Sequence, residues 1–259
     1  MPEIVLTRPW RPRPDLFWEF SRPFTLLAPA LGMLSGGITA LGAQPPTPFG
    51  WSVALNLVLG TLMAALLNAG SNGLNQIYDL EVDRVNKPGR PLPSGRMSLT
   101  EAKVISVVFF VVALALAWSV NMRCFSLALA ATVLTYLYSV PPARTKARGL
   151  LANVTIAIPR GTLLKVAGWS CVKPIDHLEP WYIGAIFGLF LLGASSTKDF
   201  ADIPGDRAGG CRTLPIIYGV REAAMLIAPF FVFPFLLMPI GALTGVLTGN
   251  AISLSVLGL

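Results

Sequence analysis

The chain has 259 residues, 54% of them hydrophobic and only 13% charged, with a mean hydropathy of +0.64. A soluble domain carries about 25% charged residues, so this chain lacks the charge to cover a water-facing surface, and lipid is its expected solvent. The net charge of +7 lies in short clusters between apolar runs, the pattern of a polytopic membrane protein and not of a nucleic-acid binder. Cys124, Cys171 and Cys211 are widely spaced without a CxxC, and His177 is the only histidine, which excludes a zinc or disulfide framework. No short apolar region with a small-residue cleavage site follows the basic stretch Arg8–Arg13, so a cleavable signal is not expected.

A spanning helix needs about 20 apolar residues. Uncharged stretches of that order cover residues 23–43, 51–78, 104–120, 125–143 and 180–197. Residues 150–168 make a further span interrupted by Arg160 and Lys165, and residues 223–259, broken at 244–250, read as one span and the start of another. The expectation is an all-α bundle of seven spans and a partial eighth, forming one domain over residues 1–259. Basic residues alternate strongly between sides. Arg8, Arg11, Arg13 and Arg22 fall with Arg84, Lys87, Arg90, Arg96 and Lys103, with Arg144, Lys146 and Arg148, and with Lys198, Arg207, Arg212 and Arg221; the opposite loops hold Arg123 and Lys173. Positive charge stays inside, which predicts a multi-pass protein of the inner or cytoplasmic membrane with a cytoplasmic N-terminus.

Two cytoplasmic segments concentrate the acidic residues: NQIYDLEVDRVNKPGRPLPSG from Asn75, and KDFADIPGDRAGGCRTLP from Lys198. Asp79 and Asp83 match Asp202 and Asp206, each pair spaced by four. Each second aspartate is followed at once by an arginine (Arg84, Arg207) and later by another (Arg90, Arg212). Spacing by four stacks two carboxylates on one helical face, at a helix C-terminus where negative charge also opposes the macrodipole. A divalent cation compensates such an arrangement directly, and magnesium takes hard oxygen ligands, one or two carboxylates plus water and substrate phosphates. Asp79, Asp83, Asp202 and Asp206 are therefore the candidate metal ligands. Glu81 lies two residues from each first-pair aspartate, on the far face, as a partner for Arg84.

These segments resemble the paired aspartate-rich motifs of the UbiA superfamily of intramembrane prenyltransferases. Asn75, Asp79 and Asp83 follow the family's first motif, NDxxDxxxD, and Asp202 and Asp206 its second, with Asp199 just upstream. NKPGRPLPSG, YSVPPARTKARG (from Tyr138) and GDRAGGCRTLP are similar as well. The resemblance implies a helical bundle of nine spans around a central cavity, so this chain would lack the last. It also implies Mg2+-dependent transfer from a polyprenyl diphosphate to a hydrophobic acceptor, with catalysis by Asn75 and the four aspartates. Gln76 replaces an acidic residue of the first motif; with the KDxxD element it is similar to the homogentisate branch, which points to an aromatic, quinone-precursor acceptor. RPLPSG is more like the ether-lipid and chlorophyll synthase branches. A glycerol phosphate or chlorophyllide acceptor, or intramolecular terpene cyclisation, is the alternative, and a transporter or lipid-binding protein the non-enzyme one.

The candidate substrate-binding residues are Arg22, Asn72, Arg84, Arg90, Lys146, Arg160, Lys198, Asp199, Arg207 and Arg212. A charge at mid-bilayer usually faces a bundle interior or a pathway. Arg160 and Lys165 are five residues apart, about 140° around a helix, so they do not share a face. Arg160 is the candidate for an anionic group, and Lys165 for reaching the outer interface. Asn68, Asn72 and Asn75 form a stripe with Asp79, suited to lining the site or to hydrogen-bonding between helices. The same two readings, wall or interfacial anchor, apply to Tyr78, Tyr136 and Tyr138.

Overall fold

The computed structural model describes residues 14–250. Helix α1 (Pro14–Ser21) lies ahead of the first long helix. The helices long and apolar enough to cross a membrane are α2 (Pro23–Gly42), α3 (Trp51–Tyr78), α5 (Leu99–Val120), α6 (Met122–Ser139), α7 (Leu150–Ser170), α8 (Leu178–Ala201) and α11 (Val220–Leu243), seven among the described residues. Three short helices complete the order: α4 (Leu80–Asn86), α9 (Ile203–Ala208) and α10 (Leu214–Tyr218). The partial eighth span expected after residue 250 lies outside the described residues, as do Arg8, Arg11 and Arg13.

The span boundaries are set by local chemistry that hydropathy alone does not show. Helix α5 begins at Leu99, five residues before its apolar run. Ser98 and Glu101 form a reciprocal capping box there, the Ser98 hydroxyl accepting from Glu101 N and the Glu101 carboxylate from Ser98 N. Asn121 caps α6 by accepting from Cys124 N at 2.8 Å, and the helix stops at Ser139 ahead of Pro141 and Pro142. Valines 104, 107, 108 and 111 of α5 are all more than half exposed. That surface would face lipid, where apolar side chains belong.

Small residues bring the helices together. An added Cβ at Gly36 of α2 would lie 2.5 Å from the Lys165 carbonyl of α7, and one at Gly161 of α7 would lie 2.6 Å from Gly188 Cα of α8. Backbone therefore packs on backbone along both sides of α7, the small-residue packing that holds membrane helices. Helix α7 contains a π-helical segment, Ile158–Leu163, opening at Pro159. Proline removes one backbone donor, and the widened turn carries Arg160 on its inner side.

The two aspartate segments share a backbone design that departs from the continuous helical face expected. Each first aspartate interrupts the helix. Asp79 (φ −105°, ψ 14°) separates α3 from α4, and Asp202 (φ −96°, ψ 5°) separates α8 from α9. Both angles lie in the sparsely populated bridge region. The spacing of four survives the break, because Asp83 N donates to Asp79 O at 2.7 Å and Asp206 N to Asp202 O at 2.9 Å.

Candidate active site

The two breaks aim both segments into one cavity of about 310 Å³ at the end of the bundle where the basic loops gather. Asp79, Asp83, Asp202 and Asp206 line it with Asn75, Arg22, Lys87, Arg90, Lys146 and Lys198. Most of its carboxylates are held by cations. Lys146 contacts Asp79, with Arg144 at 3.7 Å from the same oxygen. Arg90 Nη1 meets Asp83 Oδ2 at 2.5 Å, and Lys87 Nζ meets Asp202 Oδ1 at 2.6 Å. Asp206 is buried with no ion-pair partner among the described residues, and burial pushes its carboxyl above the usual range. Burial pulls the Lys146 amine down to about 8, with Lys198 adding to the fall and Cys211, Asp206 and Asp199 opposing it.

The segments also clasp each other. Asn86 donates from Nδ2 to the Asp202 carbonyl at 3.1 Å and accepts from Gly205 N at 3.0 Å. Backbone bonds tie the loop after α6 to the loop after α9, with Gly149 N donating to Arg212 O and Arg212 N to Ala147 O. Arg22 stands at the start of α2 in a left-handed conformation (φ 57°, ψ 63°). A non-glycine residue stays there only when its surroundings hold it, and such strain gathers at functional sites. Burial, with Arg90 and Arg160 nearby, lowers the Arg22 pKa.

A second chamber of about 290 Å³ adjoins the first through the shared walls of Arg22, Asn75, Tyr138 and Lys198. Thr25, Ser71, Asn72, Arg160, Ser195 and Thr197 complete its polar lining. Ser71 and Arg160 are shared in turn with a deeper apolar pocket walled by Met63, Leu67, Leu127, Leu163 and Leu164. The series runs from a charged outer chamber, through a polar inner one, to a greasy end.

Several expected site residues come together here and others do not. Arg84 is exposed and pairs with Glu81 at 2.6 Å, as the far-face reading of Glu81 requires. Arg207 and Arg212 are exposed outside the cavity wall. The structure places these three outside the chamber that gathers the other candidate residues. One residue along a helix is 100° around it, so an arginine directly after a cavity-facing aspartate turns away. Asp199 is buried against Lys198 at 2.7 Å, behind the wall. Lys165 does not reach the outer interface: it is buried, contacts the Ser35 hydroxyl and lies 3.8 Å over the Phe187 ring.

Asn68 and Asn72 bond the start of α2, Asn68 to Thr25 O and Asn72 to Ser21 O and Thr25 Oγ1. Both also line a chamber, so the two readings of that stripe hold together. Lys87, Asn86 and Arg144 were missed as site residues; Lys87, four residues after Asp83 in a stretch already singled out, carried a usable signal. Tyr138 is a buried wall residue, whereas Tyr78 and Tyr136 are exposed.

The donor set suits a hard divalent cation. Among the described residues no three of His, Cys, Asp and Glu form a ready cage, but magnesium asks for only one or two carboxylates, with phosphate and water filling the rest. Two carboxylate pairs face a common chamber, and the Asn75 Oδ1 atom in its wall is buried without a partner. An orphaned acceptor of this kind is a costly arrangement unless something binds it.

A helical membrane bundle with a carboxylate-lined chamber opening onto a buried apolar pocket is the design of an intramembrane enzyme acting on a molecule with a charged head and a greasy tail. The model of the UbiA prenyltransferase family matches residues 30–259, and the chain belongs to that family: it is a multi-pass membrane prenyltransferase. It is 33% identical over 230 residues to the digeranylgeranylglyceryl phosphate synthase of Methanopyrus kandleri, covering 89% of this chain and 79% of the relative. It is 35% identical to the synthase of the same name from Thermococcus kodakarensis, covering 83% and 73%. A UbiA homolog from Archaeoglobus fulgidus bound to GPP and Mg2+ superposes with a TM-score of 0.76 at 24% identity, over 94% of this chain and 82% of that one.

Proposed function

We propose that the protein transfers a prenyl group from a polyprenyl diphosphate to the free hydroxyl of a glyceryl phosphate, with Mg2+ as cofactor and a cytoplasm-facing site. The acceptor reading is supported by relatives named for a glyceryl phosphate product. It replaces the aromatic acceptor suggested by Gln76. That side chain is buried away from the chambers and donates to Phe20 O at 2.9 Å and Asn72 O at 3.2 Å, so it anchors α1 and has no hand in choosing an acceptor.

The observation that carries the mechanism is the charged chamber joined to an apolar pocket. Asp79, Asp83, Asp202 and Asp206 would hold the metal, with Asn75 beside them. The chemistry a magnesium ion would supply there is neutralisation of the negative charge on the diphosphate oxygens as the allylic C–O bond breaks. Lys87, Arg90, Lys146 and Lys198 add fixed positive charge at the same place, where a preorganised, water-poor site makes it most effective. The bonding pair leaves with the diphosphate. The acceptor oxygen then bonds to the allylic carbon, and its proton passes to the departing diphosphate. The apolar pocket takes the prenyl chain and excludes the water that would quench the allylic cation. No nucleophilic side chain is required.

The test is product analysis by mass spectrometry. Purified protein is supplied with geranylgeranyl diphosphate, Mg2+ and, in turn, a monoprenylated glyceryl phosphate, homogentisate and chlorophyllide. An ether product with the first, lost on adding EDTA and regained with Mg2+, is expected. Product with homogentisate alone would overturn the acceptor, and transfer in metal-free buffer would overturn the mechanism. Fusing a topology reporter to the N-terminus tests the cytoplasmic orientation, which the distribution of basic loops supports.

A further inference from the structure

The inner chamber differs from the outer in one respect that its position alone does not explain. Arg22, Arg160 and Lys198 line it with hydroxyl and amide groups, and among the described residues no aspartate or glutamate does. Arg160 is midway along α7, and its accessible side chain lines both the inner chamber and the apolar pocket. It has no hydrogen bond or ion pair among the described residues. An uncompensated cation at this depth is strongly unfavourable. A helical side chain leans toward its helix N-terminus, which in α7 is the end that carries the aspartate chamber, so the guanidinium is presented to the inner chamber.

We propose that the inner chamber is the binding pocket for the acceptor's phosphate, with Arg160 as its principal ligand; this rests on the glyceryl phosphate reading above. The donor's diphosphate is already provided for in the outer chamber by Lys87, Arg90 and Lys146. A phosphomonoester on Arg160, reached through the wall the chambers share, leaves the neighbouring glycerol hydroxyl facing the outer chamber. The position also has a consequence for timing. A bare guanidinium beside the apolar pocket opposes the build-up of positive charge on the allylic carbon, and an acceptor phosphate cancels that opposition. Arg160 thereby makes donor ionisation depend on the acceptor being present, which suppresses simple hydrolysis of the donor by water to prenyl alcohol and diphosphate.

The experiment uses the full chain in detergent with geranylgeranyl diphosphate, Mg2+ and two acceptors, a monoalkylated glyceryl phosphate and the same compound without its phosphate. Wild type is expected to favour the phosphorylated acceptor. In Arg160→Gln the KM for that acceptor rises roughly 10- to 100-fold, the loss of one hydrogen-bonded charge contact. Preference over the alcohol collapses, the donor KM is unchanged, and donor hydrolysis without acceptor increases. Arg160→Lys recovers part of the preference. The melting temperature of Arg160→Gln stays level or rises, since an unpaired charge is removed. A rise in donor KM with acceptor preference intact would assign Arg160 to the diphosphate and overturn the proposal. A drop in melting temperature with unchanged kinetics would make it structural, with the same result. Should wild type transfer only to an aromatic acceptor, the glyceryl phosphate reading fails first, and this pocket with it.

Discussion

The two aspartate segments have nearly the same backbone and different electrostatics. In the first, Asp79 and Asp83 are buried and each is clasped by a cation, Lys146 and Arg90. In the second, Asp202 is half-buried and tied to Lys87, while Asp206 is buried with no ion-pair partner among the described residues. The first segment is thus a closed set of charges, and the second leaves a buried carboxylate without a direct ion pair among the described residues, offset only by Lys198 and Lys146 at longer range. Residues alike in sequence and in backbone therefore bear differently on stability.

The largest expected effect is on turnover, where the segments should behave alike. Asp79→Asn, Asp83→Asn, Asp202→Asn and Asp206→Asn are each expected to reduce kcat by about two orders of magnitude or more, the scale for losing one transition-state electrostatic contact. A variant retaining near-wild-type kcat would remove its residue from the site. Next in size is the stability of metal-free protein, where the segments should part. Asp83→Asn strands Arg90, only 19% exposed, and breaking a buried pair in this way costs about 3–5 kcal/mol. Its melting temperature in detergent should fall, and Asp83→Asn combined with Arg90→Gln should recover much of the loss. Asp206→Asn removes an unpaired buried charge and should melt level with wild type or slightly higher. Equal shifts for the two would break the comparison.

Smaller still is Lys87→Met, which frees a half-buried Asp202 and should cost about 1 kcal/mol, at the upper end for partly exposed pairs, with a several-fold rise in donor KM. Glu81→Gln should be smallest. Its pair with Arg84 is well exposed, so the melting temperature should hold within about 0.5 kcal/mol of stability and activity should persist. Loss of activity in Glu81→Gln to the level of the aspartate variants would turn the carboxylates into a structural network.

The sequence pattern was most informative where it rested on composition and charge. The seven spans, and the meeting of both aspartate pairs in one chamber, follow from uncharged stretches and a repeated spacing. It was least informative about side-chain direction. A continuous helical face was expected for each pair, yet the chain breaks at Asp79 with no glycine or proline beside it to signal the break. At the second break, Pro204 follows Asp202 by two and offered a hint. Arg84, Arg207 and Arg212 resemble phosphate ligands by type and proximity in sequence, but helix rotation and backbone pairing carry them to the surface. Lys87 reaches Asp202 across 115 residues, a distance over which no local pattern reports. Gln76 shows the same limit from another side, since a residue within a catalytic motif packs against α1.

The glycine contacts that press α7 between α2 and α8 bear on how this enzyme could change over evolutionary time. The backbone carrying Arg160 is held from both flanks at a separation that admits no Cβ, so the walls of the inner chamber cannot widen by sliding helices apart without losing the packing that assembles them. New acceptors would have to be accommodated by exchanging side chains on a fixed frame. Descendants with altered chemistry are then expected to differ at Arg160, Thr25, Ser71, Ser195 and Thr197 while keeping Gly36, Gly161, Gly168 and Gly188.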